Sequence, residues 1–275
     1  MALIPPSFFD CVVAIGKRNT DGTKNWIGTG FLFGLFINQD EQSQKNYRIY
    51  LVTNKHVLNN QKDIILRFNP QDDQPAKDYP IQLIENNELI WTGHPNPNID
   101  VAVFPINGSL LQDEKMKFSF FESDTSVFTK DKLIELETSE GDFVYVLGFP
   151  MGLVSIDRQH VILRSGAIAR IRDFFEKRSS DFIVDALVFP GNSGGPVILK
   201  PEIISIEGTK SNPNAGLIGV IKSYIPYQDI AVSQQTGRPR IIFEDNSGLS
   251  LVEPTDYIFE TITEDDKIKQ QKASS

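Results

Sequence analysis

Ser193 lies in the run Phe189-Pro190-Gly191-Asn192-Ser193-Gly194-Gly195-Pro196, and the three histidines, His56, His94 and His160, all precede it. A serine between glycines on a tight turn presents an exposed hydroxyl and free backbone N–H groups, the two ingredients of attack on a carbonyl. Gly-x-Ser-x-Gly also describes the nucleophile elbow of α/β-hydrolases, but there the serine comes before its acid and its histidine. No histidine follows Ser193, so an elbow would have no base. The order histidine, aspartate, serine stays open. Taken alone, the run also reads as an ordinary surface turn, because Gly, Asn, Ser and Pro all form turns.

A general base needs an imidazole in reach of the hydroxyl and a carboxylate on the other ring nitrogen, to fix the tautomer and stabilise the imidazolium. His56 follows the apolar stretch Tyr50-Leu51-Val52 through a short polar turn, Thr53-Asn54-Lys55. Asp100 stands where a Pro/Asn loop meets the apolar run Val101-Ala102-Val103-Phe104. Both residue types therefore sit at strand ends, in the required order.

These segments resemble trypsin-like (chymotrypsin-fold) serine peptidases in their compact, disulfide-free bacterial form. The resemblance is carried by Gly28-Thr29-Gly30-Phe31-Leu32-Phe33, Thr53-Asn54-Lys55-His56-Val57, Asp100-Val101-Ala102-Val103, Val146-Leu147-Gly148-Phe149-Pro150 and Gly191-Asn192-Ser193-Gly194-Gly195-Pro196, with Gly219-Val220-Ile221 and Pro254-Thr255-Asp256-Tyr257-Ile258 closing it. It spans residues 8 to 263 in family order. It implies His56 as general base, Asp100 as its orienting acid, Ser193 as nucleophile, and the N–H groups of Gly191 and Ser193 as an oxyanion hole. It also implies a substrate side-chain pocket with Leu187, six residues before the serine, at its floor and Lys222, Ser223 and Tyr224 on its wall. A leucine floor offers no carboxylate to Lys or Arg, so apolar side chains are the expected preference; Asp185 is near but on the wrong step. Lys222 departs from the small polar residue usual at its place. Aimed at Asp100 it would tie up the carboxylate; a register shifted by one would put Ser223 there instead.

The remaining candidates read as structural. His94, between Gly93 and Pro95, is a surface or core residue, and His160 a strand-edge one. Asp142 belongs to a turn. Cys11 leads an apolar strand and packs as a small hydrophobe, not as a nucleophile. No His/Cys spacing suits zinc and no phosphate-binding loop occurs, so no metal or cofactor is expected.

The strand-like segments have to position these groups. Short apolar runs separated by Gly, Pro, Asn and Asp fall at 10–16, 27–37, 47–53, 62–68, 81–85 and 101–106. A second set falls at 143–148, 161–170, 181–188, 196–200, 215–225, 239–244 and 249–253. This spacing reads as an all-β barrel or sandwich. The resemblance narrows it to two six-stranded antiparallel β-barrels with a C-terminal helix. Residues 8–106 form the first barrel with His56 and Asp100, 107–140 the connection, and 141–263 the second barrel with Ser193 and the helix. The substrate cleft lies at the seam. Pro254 suits the first helical position, with Ile258, Phe259 and Ile262 on a face that docks on the second barrel. Residues 264–275 read as a polar, frayed tail.

Composition sets outer bounds. A chain of 275 residues, 40% hydrophobic, can build a proper core. A net charge of −9 argues against nucleic-acid partners. One cysteine allows no internal disulfide and suits a reducing interior. With no signal peptide at the N-terminus and no apolar run of about 18 residues, the expected site is cytoplasmic, with no membrane contact. The expected function is a serine endopeptidase acting on a protein or peptide substrate. The alternative is a latent or inactive protease-fold module that binds a peptide or a regulatory protein partner. No activation cleavage site stands near the N-terminus, so activity is expected to be constitutive or partner-controlled.

Overall fold

The computed structural model describes residues 4–203 and 210–273. A 3-10 turn, Pro6–Cys11, leads into β1 (Val12–Arg18), β2 (Lys24–Gln39) and β3 (Lys45–Thr53). One helical turn, α1 (Lys55–Leu58), precedes β4 (Asp63–Pro70), β5 (Lys77–Gln82), β6 (Ile84–Glu85), β7 (Glu88–Leu89), β8 (Thr92–Gly93) and β9 (Ala102–Pro105). Then come α2 (Gly108–Asp113), β10 (Met116–Lys117), β11 (Phe121–Glu122) and α3 (Lys130–Glu135). The second half holds β12 (Phe143–Gly148), β13 (Ile162–Arg170), α4 (Arg172–Phe175), β14 (Phe182–Asp185), β15 (Pro196–Leu199), β16 (Gly216–Val232), β17 (Pro239–Pro254) and α5 (Asp256–Ala273).

The chain is mostly β. The first half forms a nine-stranded sheet with the path β10-β4-β1-β2-β3-β9-β8, to which β5 and β11 add by pairing with β4 and β2. The second half is a closed six-stranded barrel, β12-β13-β14-β17-β16-β15. The sequence explains why these strands are apolar throughout instead of alternating. Successive side chains on a strand face opposite sides. Val13, Ile15, Leu32 and Leu51 fill the interior of the first half. Their neighbours Val12, Ala14, Phe31, Phe33, Tyr50 and Val52 face the other way, into a cluster shared with Tyr145, Leu147, Ile198, Leu217 and Val220 of the second half. Val144, Val146 and Val197 in turn fill the second-half barrel. Strands β1, β2, β3 and β12 are thus covered on both faces, and their second face cements the seam.

Three elements differ from the sequence expectation. Segment 107–140 is not a bare connection: β10 pairs with β4, β11 runs parallel to β2, and buried Phe121 packs edge-on against Phe31 and Phe8. The expected strands at 239–244 and 249–253 are one strand, and β16 runs beyond 225. The two pair from Gly219↔Pro254 to Val232↔Pro239, and breaks in register absorb Lys222 and Ile225. Beyond the barrel they continue as a two-stranded ribbon that leaves Tyr227, Ile230, Ile241, Ile242 and Phe243 exposed.

The third difference is the C-terminal helix. Pro254 closes β17, and helix α5 begins at Asp256, whose carboxylate accepts the Lys130 N–H at the start of α3. The helix crosses to the first half instead of staying on the second. Phe259 packs edge-on against Phe33, and the buried His94 ring meets Glu260 at 2.9 Å and Tyr257 edge-on. It also runs through Ala273 and does not fray after residue 263, because its acidic residues find partners. Buried Asp265 accepts hydrogen bonds from Thr92 Oγ1 (2.9 Å), Tyr50 OH (3.4 Å) and Lys269 Nζ (2.6 Å), and Asp266 pairs with Arg48 at 2.7 Å. A charged pattern without apolar periodicity hides such docking from the sequence. Among the described residues no helix is long and apolar enough to cross a membrane.

Removing residues 264–275 strips these partners from Thr92, Tyr50 and Arg48. Buried polar groups left unpaired cost about 1–3 kcal/mol each, so the melting temperature, followed by circular dichroism, is expected to fall by about 5–10 °C. Asp265→Ala should account for much of that fall. A tail frayed in solution would leave the melting temperature unchanged.

Candidate active site

Strand β3 ends at Thr53, and its last residues turn sharply into α1, with buried Val57 and Leu58 anchoring the turn and His56 left on its outer side. Asp100 meets that turn twice. Its Oδ2 accepts from His56 Nδ1 at 2.5 Å, and its Oδ1 accepts from the His56 backbone N–H at 3.1 Å. Ring and backbone of the histidine are thereby held by one carboxylate. The loop carrying Asp100 is clamped in turn. Asn54 Nδ2 donates to Asp100 O at 2.6 Å, and the Lys55 ammonium reaches the carbonyls of His94, Asn96 and Pro97.

The Ser193 turn is tied to the same corner by Thr29 of β2. The Thr29 N–H donates to Ser193 O (2.9 Å), and its hydroxyl donates to Gly191 O (2.6 Å) and accepts from Phe149 N–H (3.1 Å). Its carbonyl accepts from Thr53 Oγ1 (2.8 Å), three residues before His56. Glycine is required around it. A Cβ on Gly28 would come within 2.7 Å of Val57 and 3.5 Å of Ser193 O. Gly194, at φ +82°, lies so close to Thr29 O and Thr53 Oγ1 that a Cβ would overlap both. The histidine turn and the serine turn thus pack on one short stretch of β2.

Gly191 has φ +99°, a left-handed conformation natural to glycine. A Cβ there would collide with Phe149 O, so the Gly148-Phe149-Pro150 loop forms the wall beneath the serine turn, fastened by Met151 N–H to Pro190 O at 2.6 Å. Among the described residues neither the Gly191 nor the Ser193 N–H donates to any group. Two unspent donors on one glycine turn can receive an anionic oxygen. The Ser193 hydroxyl likewise makes no hydrogen bond to His56 among the described residues, and half of the imidazole surface is open to solvent, 50%.

The four expected pocket residues divide. Leu187 is 43% exposed, in a stretch laced to β17 by Ser250 Oγ donating to Ala186 O (2.9 Å) and Asn246 Nδ2 donating to Val188 O (2.5 Å). Ser250 also pairs in register with Tyr224, and Leu251 with Ser223, so β17 bridges the Leu187 stretch and the 223–224 stretch. Tyr224 OH donates to Glu244 at 2.9 Å. Lys222 is turned away from all of them. It sits at a break in the β16–β17 register, and bulges re-aim side chains. Its ammonium lies 2.9 Å from Glu253, 3.5 Å from Asp181 and 3.1 Å from Asn98 O, and so does not occupy the Asp100 carboxylate. Burial works against the charged Lys222, but the Glu253 hydrogen bond and the charges of Glu253 and Asp181 outweigh it and hold its pKa above the ordinary lysine value.

Reading the sequence passed over Thr29, Asn54 and Glu253 as site residues. Thr29 was visible as part of a Gly-Thr-Gly run, but its partners Phe149, Gly191 and Ser193 lie more than a hundred residues away. Glu253 carried no local signal: it is fully buried at the end of β17, and its Oε1 accepts the Asp100 N–H at 2.9 Å. The bland candidates are all accounted for. His94 is a buried link to α5. His160 lies exposed just before β13. Asp142 caps the Ser139 N–H, and Cys11 is buried, which pushes its thiol pKa up. Among the described residues no group of three or more His, Cys, Asp or Glu is placed to hold a metal ion.

Comparison with known proteins bears on this arrangement. No curated protein matches the chain. The family model for the trypsin-like peptidase domain matches residues 28–201, a span that includes His56, Asp100 and Ser193 and covers more than half of the sequence, and the chain therefore belongs to that family.

Proposed function

We propose that the chain is a serine endopeptidase with His56, Asp100 and Ser193 as its catalytic triad. One observation carries the reading: the 2.5 Å contact of His56 Nδ1 with Asp100, on a turn that shares β2 with a serine loop whose Gly191 and Ser193 amides are free. In this reading the first-half sheet is the first of two six-stranded barrels, residues 8–106, joined through 107–140 to the barrel at 141–263, with the substrate in the seam. Asp100 fixes the tautomer that leaves His56 Nε2 unprotonated. That nitrogen takes the Ser193 proton as Oγ bonds to the scissile carbonyl carbon. The carbonyl oxygen becomes an oxyanion and receives the N–H groups of Gly191 and Ser193. His56 then hands the proton to the leaving amine, the C–N bond breaks, and water repeats the sequence on the acyl-enzyme.

Leu187 at the base of the substrate pocket, with Ser223 and Tyr224 beside it, favours apolar side chains before the scissile bond. A second reading has one observation of its own. The missing Ser193–His56 hydrogen bond and the open imidazole favour a latent state, in which a bound peptide or a regulatory partner closes the site. Catalytic hydrogen bonds often tighten only in the substrate complex, so both states can belong to one enzyme. Proteins and peptides are the substrates this family implies, and a cytoplasmic location remains part of the proposal.

A fluorophosphonate probe should label the wild-type chain at Ser193. Ser193→Ala should abolish labelling and His56→Ala should slow it roughly ten-thousand-fold; no labelling with or without peptide would remove the enzyme reading. Reporter peptides with Leu, Phe or Val before the scissile bond should be cut faster than those with Lys or Arg, and the reverse ranking would overturn the pocket assignment. Thr29→Val leaves Gly191 O and the Phe149 N–H without their partner. It should cost about 1–3 kcal/mol in denaturant unfolding and slow labelling more than about tenfold, because a loosened oxyanion turn loses transition-state contacts.

A further inference from the structure

Asp100 is held from behind by the other half of the molecule. Its N–H donates to Glu253 Oε1 (2.9 Å), and the same carboxylate is met by the Lys222 ammonium (2.9 Å). Lys222 also donates to Asn98 O, two residues before Asp100 (3.1 Å). Glu253 is fully buried, and Lys222 is mostly so. The Asn98–Asp100 loop is therefore gripped at two backbone points by an ion pair that belongs to β16 and β17. A buried carboxylate next to the catalytic acid is an unusual choice, since its charge acts on everything nearby in a poorly screening interior.

We propose that Glu253 and Lys222 are positioning residues. Glu253 fixes the Asp100 backbone, and Lys222 cancels the charge of Glu253 so that it does not raise the proton affinity of the Asp100–His56 pair. The proposal deepens the triad reading and rests on it for its catalytic meaning, but its electrostatic content can be read from His56 whether or not the chain is active. The other ionisable groups around the pair are Asp181, 3.5 Å from Lys222, and Asp256, Tyr257 and Glu260 on α5. On the His56 side stand Asp100 and Lys55, whose ammonium is occupied by the carbonyls of the 94–97 loop. Asp181 and Glu260 are retained in every variant, and Glu260 is paired with His94.

The test is the His56 titration by NMR of its ring nitrogens in the full chain, assigned with His94→Gln and His160→Gln, alongside fluorophosphonate labelling of the same proteins. Glu253→Gln keeps an acceptor for the Asp100 N–H but leaves Lys222 uncancelled, and should lower the His56 pKa by about half a unit. Lys222→Met leaves Glu253 uncancelled and should raise it by a similar amount. The double variant Lys222→Met/Glu253→Gln should return to the wild-type value. Opposite shifts that cancel are a signature that a purely packing role does not produce. If Lys222→Met fails to fold with its buried carboxylate unpaired, the shift in Glu253→Gln and its reversal in the double variant still decide the matter. A His56 titration identical in wild type, Glu253→Gln and the double variant overturns the proposal. Loss of labelling in wild type with these shifts intact would instead count against the enzyme reading alone.

Discussion

One residue on the first half of the molecule holds the candidate site together. Thr29 uses its N–H, hydroxyl and carbonyl to bind Ser193, Gly191, Phe149 and Thr53 at once. All of these groups are at or near the buried seam, where an unmade hydrogen bond carries its full desolvation penalty. The seam is apolar because strands β1, β2, β3 and β12 present hydrophobic residues on both faces. Hydrophobic burial thus brings the halves together without direction, and Thr29 supplies the register between them. The glycines at 28, 191 and 194 follow from that closeness, since each stands where a Cβ has no room.

The two halves do not merely abut; each completes the other. Lys222 at the register break of β16 and Glu253 near the end of β17 grip the loop of Asp100, while α5 leaves the second half and lays its acidic residues on Thr92, Tyr50 and Arg48 of the first. Polar contacts of this kind add little net stability individually. Their effect is geometric: they restrict how one half can slide on the other, which matters for a site whose parts come from both.

The residues of the candidate site are legible in the sequence because each is marked locally. Ser193 stands in a glycine turn, and His56 and Asp100 stand at the ends of apolar strands. Most of the strands were legible too, for their apolar runs and turn residues are short-range features. What supports the site was not. The bond from Thr29 to Gly191 spans 162 residues and that from Asp100 to Glu253 spans 153, and no local pattern announces either. The resemblance puts Lys222 on the pocket wall; at a break in the β16–β17 register its ammonium reaches Glu253, Asp181 and Asn98 O instead. The tail after residue 263 reads as frayed because it is polar with no apolar stripe, and it is helical through Ala273, where its charges have partners.

The crossing of α5 and the place of Glu253 near the end of β17 have a temporal consequence. A ribosome makes Thr29, His56 and Asp100 first, then Ser193, and only after them the carboxylate and helix that brace them. A chain synthesised only as far as Ser193 therefore carries the residues of the candidate site without the Glu253 contact and the α5 contacts that brace the Asp100 loop and the first half.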